Sequence, residues 1–354
     1  MAGETPDDIP IKALSFQAIG QSALVEDETL LTQVFGLLIN AHYQTRPVDA
    51  RYLLDAPNSQ LYAAVFEGQI IGLIWLMLEG GLEAGIARDI VIGRRRPQSH
   101  RVPQILAAHL GLEDAVTMRC ARIQRIVVRP EAQGRGIGSW MLTQVEDCLG
   151  KDIDYLASSF GINLALSNFW QRGNFNTIRL SDKLRAASGL HSAVVVKPVS
   201  SVAETLATEA QALFIEQFIV QLSSGLNNLS PQLACQLVPQ SANLEVLNSR
   251  ELKTAILFAY GKRPHESSLA VLTKIARSTL LDASLVFDPD DTPRQLLISR
   301  FLQRRPWTNC AEYSGLSGQR ECISLLRQGV QSVLNQRYPE HQITGIRSQY
   351  GLLE

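Results

Sequence analysis

The strongest chemical signal in the sequence is the hexapeptide Gln133-Gly134-Arg135-Gly136-Ile137-Gly138, set between an alternating run at 122–130 and an amphipathic run at 139–149. A strand, a glycine turn and a helix in that order aim consecutive backbone N–H groups, uncovered by Cβ atoms, from the positive end of the helix. That is a candidate phosphate cradle. A dinucleotide-binding turn would open its fold and be followed about 20 residues on by an acidic residue ending the next strand. Here two strand patterns precede the turn, and the next strand ends Ser158-Ser159-Phe160-Gly161. Just upstream, residues 88–135 carry ten arginines against four acids, a local charge of +6. Arg94, Arg95, Arg96, His100 and Arg101 lie in this segment and suit nucleic-acid phosphates, although such a run also fits a solvated face.

The elements that must position these groups belong to a chain of 354 residues, long enough for two domains. Hydrophobic residues make up 45% and charged residues 19%, which excludes wholesale disorder and a fibrous repeat. The net charge of −1 makes no global case for a polyanionic partner, so charge has to be read by region. Five cysteines, never spaced C-x-x-C, argue against a disulfide framework and a zinc module, and point to a reduced, cytoplasmic setting with no metal. Residues 1–10 are acidic and carry no secretory pattern. The apolar run 61–78 is broken at Glu67-Gly68-Gln69, leaving about nine apolar residues where a bilayer span needs roughly 20. It reads as a hairpin, with no membrane partner.

Helical spacing at 26–43 precedes that hairpin, and a second helical pattern covers 102–110. After the glycine turn come a strand at 154–159, a helix at 164–170 and strands at 175–180 and 191–197. Beyond Pro198 the periodicity is helical, at 204–222, 268–281, 294–302 and 312–334, which puts a domain boundary near residue 200.

This order resembles the GNAT acetyltransferases: a strand, an Arg/Gln-x-x-Gly-x-Gly/Ala turn, a helix, a strand, then an aromatic-rich helix ending near Gly-Phe. Gln133 to Gly138 and Phe169-Trp170-Gln171-Arg172-Gly173-Asn174-Phe175 supply both parts. Ala41-His42-Tyr43-Gln44-Thr45-Arg46-Pro47, Asp55-Ala56-Pro57, Arg94-Arg95-Arg96-Pro97 with His100, and Tyr155 to Gly161 are similar to the tRNA(Met) cytidine acetyltransferase family. Gly318-Gln319-Arg320, leading into an amphipathic helix, resembles that family's tRNA-binding C-terminal domain, so the likeness covers nearly the whole chain. The resemblance implies an α+β fold: a GNAT-type mixed, mainly antiparallel sheet flanked by helices over residues 1–199, then a helical tRNA-binding domain over 200–354. It implies acetyl transfer from acetyl-CoA to the exocyclic amine of the wobble cytidine of elongator tRNA(Met). The family's N-terminal ATP-driven helicase module has no counterpart here, since no G-x-x-x-x-G-K-[ST] occurs. The expectation is a helicase/ATPase partner acting in trans, or a longer chain of which this is part.

The resemblance also assigns roles. Backbone groups of Ile126, Val127 and Val128, where the strand must splay, would hold the pantetheine and the thioester oxygen. The amides of Gly134, Gly136, Ile137, Gly138 and Ser139 would take the pyrophosphate, with Gln133 and Arg135 at its edge, and Arg172 would contact the coenzyme. The acid often found seven positions before that arginine is Ala165 here. Trp170 occupies the position where many GNAT enzymes carry a tyrosine acid, and an indole cannot deliver a proton at neutral pH. His42 therefore becomes the candidate base and Tyr43 the group that stacks on or bonds the cytosine. His191 reads as structural. Lys262, Arg263, Arg304 and Arg305 would extend the RNA surface into the helical tail. Two other readings remain open: a GNAT enzyme acting on a protein or small-molecule amine, and a non-catalytic RNA-binding remnant.

Overall fold

The computed structural model describes residues 9–40, 47–238, 246–288 and 290–353. The chain divides into two compact units, one of Met1–Ser181 with Arg185–Phe214, the other of Asp182–Leu184 with Ile215–Glu354. The first is built on a seven-stranded sheet ordered β1-β2-β3-β4-β5-β7-β6. Its strands are β1 (Ser15–Ile19), β2 (Ser59–Phe66), β3 (Gln69–Gly80), β4 (Arg119–Val128), β5 (Tyr155–Gly161), β6 (Asn176–Leu184) and β7 (His191–Pro198). The pairings β1–β2, β2–β3, β3–β4 and β5–β7 are antiparallel, and β4–β5 is parallel. The sheet is therefore mixed and mainly antiparallel.

The β2–β3 hairpin turns through Glu67 (φ 48) and Gly68 (φ 76), the two left-handed residues that match the twist of paired strands. β3 is central and buried along nearly its whole length, which explains its unbroken apolar sequence. One face of the sheet carries α1 (Gln21–Glu26), α2 (Glu28–Asn40) and α3 (Pro47–Asp55), with Leu24, Val34, Leu38 and Leu53 packed on Leu73, Trp75, Met77 and Val127. An insertion between β3 and β4 adds α4 (Ala84–Val91), α5 (Arg101–Leu110) and α6 (Asp114–Thr117). From it Val102 and Leu106 join Cys120, Tyr155 and Ala157 and, from α9 (Ser201–Leu222), Ala203, Leu206 and Ala210. The other face is covered by α7 (Ile137–Leu149) and α8 (Leu164–Arg172), whose Leu142, Val145 and Trp170 pack on Ile74, Leu76 and Ile123.

Glu79, at the end of β3, ties the insertion to the sheet. Its side chain is wholly buried; Oε1 meets Arg122 Nε at 2.6 Å and Oε2 accepts the Val102 N–H at 2.9 Å in the first turn of α5. A carboxylate at a helix start satisfies an orphan donor and the helix dipole together.

The second unit is helical: α10 (Pro231–Leu237), α11 (Ser249–Ala259), α12 (Leu269–Leu281), α13 (Thr292–Leu297), α14 (Trp307–Tyr313), α15 (Gln319–Arg337) and α16 (Glu340–Gln349). Several of its cations are structural. Arg305, 8% exposed, donates to the carbonyls of Asn227 and Leu229 at 2.6 and 2.7 Å, which corrects its expected place on an RNA surface. Among the described helices none is long and apolar enough to cross a membrane.

The sequence reading missed β1, α3 and α4, whose five to nine residues are too short for a periodic pattern to stand out. The break between the two units falls inside α9. The Glu79–Arg122 pair yields a stability contrast: Glu79→Ala strands a guanidinium only 11% exposed and should cost about 3–5 kcal/mol. Arg119→Ala opens a surface pair whose arginine is 57% exposed and should cost less than about 1 kcal/mol. Urea unfolding of the two variants checks the difference.

Candidate active site

The parallel ladder between β4 and β5 runs only from Cys120↔Tyr155 to Ile123↔Ser158, where Ser158 Oγ donates to the Ile123 carbonyl at 3.0 Å. Beyond that point the strands part. β4 stays on β3 as far as Gly72↔Val128, but its register shifts between Trp75 and Leu76, so Gln124 is an extra residue. Such a bulge bends the strand that carries it. β5 meanwhile follows β7 as far as Gly161↔Ser192. The gap is a wedge of about 700 Å³ lined by Ile123 to Ile126, Ser158 to Gly161, and Leu166, Phe169 and Trp170 of α8.

The pleat decides which backbone groups face it. The Arg129 N–H donates to the Ile71 carbonyl at 2.8 Å, which makes Gly72↔Val128 a non-hydrogen-bonded pair. Val128 and Ile126 therefore turn their N–H and C=O toward the wedge, and the intervening Val127 spends its own on β3. This corrects the expectation for Val127, whose side chain, 7% exposed, packs in the core under α2. The Val128 carbonyl accepts from Gln133 Nε2 at 3.0 Å, which ties the strand end to the glycine turn.

In that turn Gly134 and Gly136 have φ of +77° and +82°, a conformation that side chains rarely adopt. Gly136 heads α7, so the N–H groups of Ile137, Gly138 and Ser139 are the helix's orphan donors at its positive end. A Cβ on Gly138 would meet Phe169 at 3.1 Å, so α7 starts hard against α8 beside the wedge. Ser159 Oγ, in the wedge wall, is buried with no hydrogen-bond partner. A hydroxyl left unmatched there, the main chain of Ile126 and the N–H of Val128 turned to the wedge, and an anion-ready helix end suit a long ligand with polar amides and a phosphate tail, the chemistry of acetyl-CoA.

Trp170 is 4% exposed, stacked on Phe160 at 5.4 Å and edge-on to Phe169 and Phe175. It is a wall of the wedge and core at once. Arg172 ends α8 exposed and does not line the wedge. His191 is buried with Nδ1 2.8 Å from the Ser181 carbonyl, a structural role. His42 and Tyr43 lie outside the described residues. α2, which leads toward them, is pinned near the wedge by Arg125, whose Nη1 donates to the Leu38 carbonyl at 3.3 Å.

Arg94, Arg95 and Arg96 are exposed after α4. Arg95, Arg96, His100, Arg101 and His109 line a second cavity of about 640 Å³ floored by Ile90, Val91 and Ile105. His100 Nδ1 accepts the Gly80 N–H at 2.9 Å, so this ring is held as part of the β3 end. His109 is pushed below the usual histidine range by burial and then by Arg179 and Arg96. The sequence reading missed the Gln124 bulge, Ser159 and the Glu79–Arg122 pair. Only the bulge left a signal: apolar Ile123 and Ile126 are three apart where strand alternation gives two.

With this geometry in place, two family models match the chain: "GNAT acetyltransferase 2" over residues 33–152 and 140–200, and "tRNA-binding domain" over 204–340. A tRNA(Met) cytidine acetyltransferase of Nitrosococcus halophilus is 38% identical over 331 residues, 93% of this chain and 44% of the relative. One from Vibrio cholerae is 36% identical over 91% of this chain and 44% of its own length, and one from Haloferax volcanii 30% over 88% and 41%. The chain thus spans less than half the length of the curated relatives it matches. The chain thus carries a GNAT acetyltransferase region followed by a tRNA-binding region, and along most of its length it is similar to part of these tRNA(Met) cytidine acetyltransferases.

Proposed function

We propose that this chain transfers the acetyl group of acetyl-CoA to the exocyclic N4 amine of the wobble cytidine in elongator tRNA(Met), in the cytoplasm. The observation that carries this reading is the splayed β4–β5 wedge opening beside the glycine-headed start of α7. Residues 1–199 would act as the acetyltransferase domain and residues 200–354 as the tRNA-binding domain. A helicase/ATPase module, in trans or in a longer chain, would deliver the anticodon.

Acetyl-CoA supplies a thioester: the amine nitrogen bonds to the acetyl carbon, the C–S bond breaks, CoA leaves as thiolate, and the nitrogen gives up a proton. The chain's own tasks follow. The amides of Ile137, Gly138 and Ser139, with Gln133 and Arg135 beside them, hold the pyrophosphate. The main chains of Ile126 and Val128 and the hydroxyl of Ser159 align the pantetheine. Phe160, Phe169 and Trp170 exclude water. The cytosine amine is a weak nucleophile because its lone pair is delocalised into the ring, so positioning and proton removal are where catalysis must be concentrated. His42 is assigned the proton and Tyr43 the base, as the family resemblance implies. Arg94, Arg95, Arg96 and Arg101 meet tRNA phosphates.

The direct test incubates the chain with labelled acetyl-CoA and unmodified elongator tRNA(Met), with and without ATP, followed by nucleoside mass spectrometry. Acetylcytidine is expected; label found only in protein or small amines refutes the RNA substrate. Gly136→Glu puts a carboxylate where the pyrophosphate belongs and should weaken acetyl-CoA binding at least 100-fold by calorimetry, with the fold retained by circular dichroism. His42→Ala should slow single turnover by 10²-fold or more while leaving acetyl-CoA affinity within about twofold.

A further inference from the structure

The wedge extends beyond its α8 wall. Its lining passes from α8 on one face of the sheet to Arg101, Arg122 and Arg185. Arg122 alternates with Ala121 and Ile123, which pack under α7 and α8, so its side chain leaves the sheet on the α5 face, where it meets Glu79. The glycine turn serves the α7 and α8 face. Arg122, and Arg101 beside the Glu79-bound Val102 in the first turn of α5, are therefore set apart from the place where the coenzyme's pyrophosphate is assigned, and Arg185 shares their stretch of the lining.

Their charge is not balanced locally. Glu79 is the carboxylate among them, and both its oxygens are committed, to Arg122 and to the Val102 N–H. Arg101 and Arg185 have no carboxylate partner among the described residues, and Arg185 stands exposed at the start of the 185–190 segment that rims the wedge. The groups are close enough to feel one another: Arg101 holds its proton less tightly than usual, through burial first and then through repulsion by Arg122 and Arg185. Gathering like charges in the lining of a low-dielectric cavity is unfavourable in the free protein and is offset by an anion that bridges them.

We infer that Arg101, Arg122 and Arg185 form a phosphate cradle in this stretch of the wedge, taking an RNA backbone phosphodiester next to the acceptor nucleotide. This rests on the acetyltransferase reading for what enters the wedge. The acceptor amine must arrive from the side the coenzyme does not fill, and a nucleotide inside a chain brings a phosphate on each flank. Arg122, fixed by Glu79, is the rigid member; Arg101 and Arg185 close on the anion, a bidentate geometry that lysine does not reproduce.

The test uses the full chain with Arg101→Gln, Arg185→Gln and the double variant, leaving Arg122 alone so that Glu79 keeps its partner. The probe is a fluorescent single-stranded ribo-oligonucleotide with one cytidine, its affinity measured by anisotropy over a salt series. Each substitution should reduce the slope of log affinity against log salt by about 1 and the double variant by about 2, with acetyl-CoA affinity by calorimetry unchanged. A methylphosphonate beside the cytidine should weaken wild-type binding about tenfold and leave the double variant's binding unaltered. Arg185→Lys should keep the salt slope and lose affinity.

Unchanged slopes, or an equal methylphosphonate effect in wild type and double variant, overturn the cradle. Loss of acetyl-CoA affinity with RNA binding intact assigns the arginines to a coenzyme phosphate and also overturns it. Acetylcytidine formation is read separately, so each idea fails alone: reduced slopes without acetylcytidine remove the acetyltransferase reading, and acetylcytidine with unchanged slopes removes the cradle.

Discussion

The parallel ladder between β4 and β5 stops at Ile123 and Ser158, and the rest of the first unit depends on that stop. Two strands of this length would ordinarily pair to their ends, because an unpaired N–H or C=O away from water costs about as much as a lost hydrogen bond. Two features hold them apart. The extra residue at Gln124 bends β4 while it remains on β3, and Phe160, on the diverging end of β5, is propped by the ring of Trp170 at 5.4 Å. Opening is thus set by covalent count on one strand and by aromatic volume behind the other.

The stop also places the helices. Because β4 has parted from β5 after Ile123 and ends at Val128, the chain turns through Gln133 to Gly136 beside the gap, and α7 starts with its free amides toward it. α8 is held close to that start by the contact of Phe169 with Gly138. On the opposite face Glu79 performs the equivalent service for the insertion: one buried carboxylate joins β3, β4 and the first turn of α5. Burying it is tolerable because both oxygens are matched, one by a guanidinium and one by a backbone amide.

Basic residues in the two units do different things although they look alike in the sequence. In the second unit Arg294, Arg305 and Arg327 bond to backbone carbonyls at helix ends and loops, and are part of the packing. In the first unit Arg101 and Arg185 keep their charge for solvent or a ligand. A count of arginines is blind to this, because an arginine's role is decided by whether carbonyls converge on it, and those come from segments 15 to 78 residues away.

The amino-acid sequence by itself determined the strand–turn–helix unit around Gln133 to Gly138, the β2–β3 hairpin and the change to helices after residue 200. These rest on turn chemistry and periodicity, which act over a few neighbouring residues. The three-residue spacing of Ile123 and Ile126 is also in the sequence, but it reads as part of an alternating strand until the pairing with β3 shows the extra residue. Tertiary structure alone decided that Val127 turns its main chain to β3 while Ile126 and Val128 face the wedge, that Ser159 is left without a partner, and that Arg305 is buried. Those outcomes depend on register between strands and on contacts between distant segments. A one-residue shift in pairing would reverse the facing of every backbone group in the wedge, and no local pattern records it.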